Sequence, residues 1–222
     1  MVPRIVEIVG PAGAGKTTLC HLLSHCSKSI QLSNFPDVRK ISAASFFIWN
    51  GLQVSSVILS LPQRNSRKLT RREFAWLSIL NGWPGVLQKE LKNRKSIVLD
   101  QGPVYLLTET YEFGPEYLRE QKAKNFWQDL YSRWADTLDM IIWLDAADTD
   151  LLKRIRGRDK EHIVKNESVE TTFEFLARYR QAHERTISSL ATNHKLKVFR
   201  FDTSKKSSEE IANQLLFEFG ST

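Results

Sequence analysis

Residues Gly10-Pro11-Ala12-Gly13-Ala14-Gly15-Lys16-Thr17 satisfy every fixed position of the pattern G-x-x-x-x-G-K-[ST]. The run follows a strand-like segment, Ile5–Val9, and opens a helix-like one, Lys16–Cys26. Glycines let such a loop curl until consecutive N–H groups face one anion, and the helix N-terminus adds positive potential. Lys16 would then reach the β- and γ-phosphates of a nucleoside triphosphate, and the Thr17 hydroxyl would ligate Mg2+. A glycine-rich turn that merely joins strand to helix does not account for the full spacing. Gly10 through Thr18 is the expected cradle.

Two further strands end in a carboxylate. Ile97-Val98-Leu99-Asp100 is an apolar run closed by an acid. In an open α/β sheet, ligands bind beyond the carboxyl ends of the strands, so Asp100 should face the crevice of the phosphate loop. There it would hold Mg2+ through water, together with Thr17, or accept the proton of an attacking hydroxyl. The plainer use of Asp100 is to start the turn into Gly102-Pro103. Asp145 closes Ile141-Ile142-Trp143-Leu144, but it also precedes a helix, where Asp is a routine cap. Its role stays open.

Arg154-Ile155-Arg156-Gly157-Arg158-Asp159-Lys160 follows the Asp145 strand and a short helix. Phosphoryl transfer spreads charge over the moving group, which positioned arginines stabilise through forked hydrogen bonds. Arg154 and Arg158 are four apart, so one helical face would offer both guanidiniums to one ligand.

Apolar runs suited to buried parallel strands alternate with helical stretches. The strands expected are Ile5–Val9, a weak one near Val38–Ala43, Ser96–Asp100, Met140–Asp145 and Lys197–Asp202. Helices are expected at Lys16–Cys26, Ser45–Leu59, Arg72–Leu80, Gly85–Lys92, Glu116–Leu138, Thr149–Arg156, Val169–Leu190 and Ser208–Phe219. Asn81-Gly82-Trp83-Pro84 reads as a break, with Pro84 starting a new helix. Alternation of this kind specifies a doubly wound α/β sheet. Nothing divides the 222 residues into more than one domain.

Composition narrows the class. Apolar residues make up 41 % and charged residues 26 %, ordinary values for a globular protein, and no run reaches the length of a membrane span. No secretory signal is expected, and Cys20 and Cys26 lie too far round one helix to bridge, which suits a reduced cytoplasmic setting. The net charge of +7 fits a site for several phosphates better than nucleic-acid binding, because the basic clusters lack interleaved aromatics. His21 and His25 share a helical face but have no third ligand nearby, so a solvent-facing pair is expected.

Taken in order, these elements resemble the P-loop nucleoside and nucleotide kinases, in particular the thymidylate kinase and deoxynucleoside kinase group. The likeness runs through Gly10–Thr18, Leu99-Asp100-Gln101-Gly102, Trp143-Leu144-Asp145 and Leu152–Arg158. It continues through Phe175-Leu176-Ala177-Arg178-Tyr179 to Phe201-Asp202-Thr203-Ser204. It implies a three-layer P-loop NTPase fold with a five-stranded parallel sheet and a small arginine-rich lid at about residues 153–168. It also implies ATP as donor with Mg2+, catalytic Lys16, Asp100, Arg154 and Arg158, and Asp202, Thr203 and Ser204 beside the adenine. The partners implied are a nucleoside triphosphate and a small acceptor, without membrane or nucleic acid, and compatible with a homodimer. Relatives usually carry Arg after the strand-three acid, where this chain has Gln101. An amide suits a neutral acceptor better than a phosphate, so the expectation leans towards a nucleoside, unless the basic Arg64–Arg72 loop folds inward to hold a phosphate. A sugar or antibiotic hydroxyl is the nearest rival acceptor. A regulatory NTPase is the rival from another class, although the Asn-Lys-x-Asp motif of GTP switches is missing.

Overall fold

The computed structural model describes residues 3–36, 44–61, 66–93, 95–159, 161–192 and 195–220. Five parallel strands form one sheet: β1 (Ile5–Val9), β2 (Ile30–Ser33), β3 (Ser96–Asp100), β4 (Met140–Asp145) and β5 (Lys197–Asp202). Their order is β2-β3-β1-β4-β5. The chain leaves central β1 towards β3 and later returns to its other side through β4, which creates a switch point at the carboxyl end of β1. β1 is buried along its whole length, as a strand covered on both faces must be. Register pairs Ile8 with Asp100 and Asp145 with Asp202, so the acidic strand ends reach one rim.

Eight α-helices are described: α1 (Lys16–Cys26), α2 (Ala44–Ser60), α3 (Arg71–Leu91), α4 (Pro103–Glu112), α5 (Lys124–Thr137), α6 (Asp148–Gly157), α7 (Val169–Leu190) and α8 (Ser208–Gly220). Two buried apolar clusters cover the two faces of the sheet. One includes Ile5, Leu99, Trp83, Trp134 and Ile187; the other includes Val6, Ile8, Leu19, Leu144 and Leu215. This is the three-layer α/β arrangement expected. Cys20 is buried and Cys26 exposed, both as free thiols. His21 and His25 are exposed. No described helix is long and apolar enough to cross a membrane.

Four elements differ from the sequence reading. The second strand is Ile30–Ser33, whereas the expected Val38–Ala43 lies outside the described residues. In this edge strand only Ile30 is fully buried, so the apolar signal is thin. The expected helix Glu116–Leu138 begins instead with two short 3-10 turns, Glu116–Arg119 and Gln121–Ala123, before α5. Trp127 of α5 donates its indole N–H to the Leu118 carbonyl, which fixes that approach. Helix α4 was not expected at all.

The expected break at Asn81–Pro84 does not occur. Pro84 lies inside α3, which starts with a Thr70/Glu73 capping box. Proline removes the hydrogen bond to the carbonyl four residues back and crowds it. Here that carbonyl, Leu80, accepts the Trp134 indole N–H at 3.0 Å, and the next one, Asn81, accepts from Arg133 at 2.8 Å. Side chains of α5 thus take over acceptors that proline disturbs. Trp134→Phe should cost about 1–3 kcal/mol by stranding the buried Leu80 carbonyl. Urea unfolding followed by circular dichroism measures it; an unchanged midpoint would mean that Trp134 only fills space.

Candidate active site

The phosphate loop is built by backbone geometry. Gly10, Gly13 and Gly15 all have positive φ. At Gly10 the constraint is also steric, because a Cβ would stand 2.0 Å from the Leu144 carbonyl oxygen of β4. Gly15 caps α1 in the left-handed conformation at φ 88°, aiming the free N–H groups of the first turn into the loop. Lys16 Nζ donates to the Gly10 and Pro11 carbonyls at 2.8 and 2.9 Å. The ammonium therefore spans the loop that a triphosphate would fill.

Asp100 meets the loop as expected. The Thr17 hydroxyl donates to Asp100 Oδ2 at 2.6 Å, and the other oxygen, Oδ1, is buried without a hydrogen-bond partner. A buried carboxylate oxygen without a donor is costly, so this arrangement is suited to a hydrated cation at that position. Among the described residues no group of three or more His, Cys, Asp or Glu could hold a metal by itself. Thr17 and Asp100 fit the sparse protein share of a Mg2+ site, which is completed by phosphates and water.

One residue that sequence reasoning missed organises this corner. Glu7 lies in the middle of β1 with its carboxylate fully buried. It accepts the backbone N–H groups of Gly102 at 2.7 Å, Val104 at 2.7 Å and Tyr105 at 3.1 Å. Those are the orphan donors at the start of α4, so a strand residue caps the helix from a distance. Burial raises Glu7 to about 8, against the lowering effect of the three N–H donors, and nearby Asp100 adds to the rise. The available signal was one carboxylate inside an otherwise apolar strand.

Gln101, between Asp100 and this cap, adopts φ 63°. From it runs a half-buried stripe along α4, Tyr105 and Glu109. Trp76 of α3 meets Tyr105 edge-on at 6.0 Å, and the Arg72 guanidinium lies 4.4 Å above the Trp76 ring. Burial raises Glu109, which Arg72 opposes, and lifts Tyr105 to about 12. Tyr179 of α7 adjoins the same groups and donates its hydroxyl to the Gly10 carbonyl at 3.3 Å. It stacks on His183 at 4.0 Å, and burial lowers His183 to about 3.

The donor side differs in part from expectation. Arg154 donates to the Gly13 carbonyl at 3.3 Å, the Thr203 hydroxyl at 2.9 Å and the Thr203 carbonyl at 2.9 Å. It stitches the phosphate loop to the β5–α8 turn. Ser204 donates to Asp150, and Asp202 accepts the Ser204 N–H, so Asp202, Thr203 and Ser204 form one braced turn. Arg158 does not share a helical face with Arg154, because α6 ends at Gly157 and Arg158 is extended (φ −95°, ψ 150°). Both arginines still line one cavity of about 510 Å3 with Asp150, Lys153 and Gly157. Beyond the helix, Val164 is buried and Lys165 donates to the Arg158 carbonyl at 2.6 Å. Asp145 is the partner of Arg180 at 2.8 Å, and Asp148 holds the same guanidinium. A separate cavity of about 1540 Å3, lined largely by α5 and α7, includes Asp145 but no phosphate-loop residue.

With this geometry in hand, solved structures can be compared. Candida albicans thymidylate kinase superposes with a TM-score of 0.57 at 16 % identity, over 99 % of this chain and 93 % of that one. The chain has the fold of the P-loop nucleoside and nucleotide kinases. M. mycoides deoxyadenosine kinase, solved with bound dATP, gives 0.52 at 16 % identity over the full length of both chains. The Bacillus subtilis YorR protein, in complex with phosphorylated GDP, gives 0.54 at 16 % identity over 97 % and 95 %. No protein-family profile matches the sequence, and no curated protein sequence does either.

Glu7 provides a test of this corner. Its raised folded value means that its stabilising contribution is fully present below about pH 4.5 and is lost as pH rises towards 8. The stability difference between wild type and Glu7→Gln should therefore shrink over that window. Denaturant unfolding at several pH values measures it, and a difference that grows with pH would show that the ionised form is the one the fold prefers.

Proposed function

We propose that this chain is an ATP-dependent kinase that transfers the γ-phosphoryl group to a nucleoside or nucleoside monophosphate. The observation that carries the reading is the 2.6 Å contact between Thr17 of the phosphate loop and Asp100 of the neighbouring strand, with Asp100 Oδ1 unsatisfied beside it. The fold shared with the kinases above supports the class, and the Gln101–Tyr105–Glu109 stripe supports an acceptor side next to Asp100.

The chemistry of the residues follows from the geometry. Loop N–H groups and the α1 N-terminus bind the triphosphate, and Lys16 exchanges its two carbonyl partners for phosphate oxygens. Thr17 and Asp100 would hold Mg2+, which when bound would supply charge neutralisation for the triphosphate. The alternative role for Asp100 is to receive the proton of an attacking hydroxyl. Arg154 and Arg158 line the donor side, where positioned cations stabilise the dispersed charge of transfer. Gln101 offers an amide to the acceptor, and Trp76 and Tyr105 offer ring faces and edges. With an amide and the carboxylate of Glu109 on this wall, a nucleoside is favoured over a monophosphate.

ADP release with a panel of nucleosides, nucleoside monophosphates, sugars and aminoglycosides tests this. Product from a nucleoside or monophosphate is the expected outcome; product only from another alcohol would replace the acceptor and leave the kinase chemistry standing. Turnover without any acceptor, stimulated by a macromolecule, would replace the kinase by a regulatory NTPase.

Lys16→Ala should abolish turnover in a protein with an unchanged circular dichroism spectrum. Asp100→Asn should retain nucleotide binding and lose at least about a hundredfold in kcat. A kcat within a few-fold of wild type would reduce Asp100 to a turn residue.

A further inference from the structure

The cavity of about 1540 Å3 along α5 and α7 takes no part in the chemistry proposed above. It exceeds the roughly 300–1,000 Å3 of sites for small organic molecules, so such a molecule enters without moving the walls. Its lining is balanced in charge, five cations against five acids, in a protein of net charge +7. The arginines are already engaged. Arg185 forks onto Glu112 at 2.9 and 2.6 Å, Arg180 holds Asp145 at 2.8 Å, and Arg200 reaches Glu184 at 2.9 Å. Arg119 donates to the Tyr111 and Gly114 carbonyls at 2.8 and 3.1 Å. The remaining cation, Lys124, is exposed at the start of α5, and Glu120 belongs to the same lining. A phosphate would have to break one of these arginine sets, so the cavity is poorly suited to an anion.

The uncommitted groups are neutral. Gln128 of α5 and Gln181 of α7 bring amides to the cavity that have no hydrogen-bond partner among the described residues. Ser132 stands four residues after Gln128, and Ser188 seven after Gln181, so each helix offers an amide and a hydroxyl along one line. Two half-buried rings, Tyr111 and Tyr131, complete this set. Tyr111 meets Trp127 edge-on at 5.0 Å and Tyr131 at 6.4 Å. Thr186 hydrogen-bonds Tyr131, and Trp127 donates to the Leu118 carbonyl, so the rings are fixed in place.

We infer that this cavity is a second ligand site, apart from the phosphate loop, for an uncharged purine nucleoside that stacks on the tyrosines and meets the glutamine amides. The lining selects that class. A glutamine amide pairs a donor with an acceptor, which matches the adjoining amino group and ring nitrogen of a purine edge. Any base stacks on an aromatic ring that is held in position. The serine hydroxyls suit a sugar. A wholly apolar ligand would instead cover the two amides and leave them unpaired, which is costly.

The test uses the full chain, labelled with nitrogen-15 at its six tryptophans. Of these indoles, Trp127 and Trp143 line the cavity, whereas Trp76 stands on the proposed acceptor wall. Titrated adenosine should shift the Trp127 and Trp143 signals and saturate them below about 1 mM. Gln128→Ala and Gln181→Ala together, both exposed, should weaken those shifts at least about tenfold and preserve the circular dichroism spectrum. Adenosine 5′-monophosphate should bind more weakly than adenosine. Adenosine that shifts Trp76 alone, or no indole at all, overturns the proposal. So do cavity shifts whose affinity survives the double substitution, and a monophosphate that binds as tightly as the nucleoside or more so. The wild-type titration decides the matter even if the double variant fails to fold. Shifts at Trp127 and Trp143 without any at Trp76 keep this site standing whether or not the kinase reading holds.

Discussion

The corner where β1, β3 and α4 meet depends on one buried carboxylate. Glu7 satisfies three backbone donors at the head of α4, and in doing so fixes the turn that follows Asp100. Without an acceptor there, those N–H groups would be buried and unpaired, a cost comparable to several lost hydrogen bonds. The turn has little freedom of its own. Gln101 has already taken a left-handed φ, and a Cβ at Gly102 would press within 3.0 Å of Glu7 and Leu99. Asp100 therefore reaches Thr17 because β1 supplies, from its interior, the cap that α4 lacks locally.

Most of the frame was legible in the sequence because it is written locally. Lys16–Cys26 and Val169–Leu190 have the expected bounds, the first opened by Gly15 and the second capped by Ser168. β1, β3, β4 and β5 are also where their apolar runs placed them. What escaped depends on distant partners. Pro84 stays within α3 because Trp134 and Arg133, some fifty residues on, donate to the carbonyls that it disturbs. α4 starts with Gly102-Pro103, a turn signature, because its cap comes from Glu7 nearly a hundred residues earlier. The Thr17–Asp100 pair was legible because Thr17 is a fixed position of the phosphate loop and Asp100 closes an apolar strand. The Arg154–Thr203 link was not, because nothing near either residue specifies the other.

The donor side is already a closed set of hydrogen bonds. Lys16 rests on two carbonyls of its own loop, and Arg154 on Gly13 and Thr203. Neutral carbonyls are weaker acceptors than phosphate oxygens for a charged donor, so a triphosphate in the proposed site would replace poorer partners with better ones. The exchange needs no refolding of the loop, because positive φ at Gly10, Gly13 and Gly15 already directs the backbone inward. Arg154 differs from Lys16 in holding together two separate segments of chain. Moving it towards phosphate would release Thr203, whose N–H and hydroxyl both remain on the Asp145 carbonyl at 2.7 and 3.1 Å. The turn beside the proposed adenine position is thus secured independently of the arginine.

Tyr179 carries this logic across to the acceptor side. Its hydroxyl shares the Gly10 carbonyl with Lys16, so the same oxygen is held from two directions. Were Lys16 to turn to phosphate as proposed, the tyrosine would keep that carbonyl satisfied, and the loop would not need a new donor. The ring itself is fixed by stacking on His183, whose lowered value keeps it neutral and removes any repulsion towards Lys16 nearby. A cation at His183 would oppose the Lys16 ammonium. An uncharged aromatic pair therefore stands behind the phosphate loop, and the positive charge is concentrated in front of it, where a triphosphate would lie.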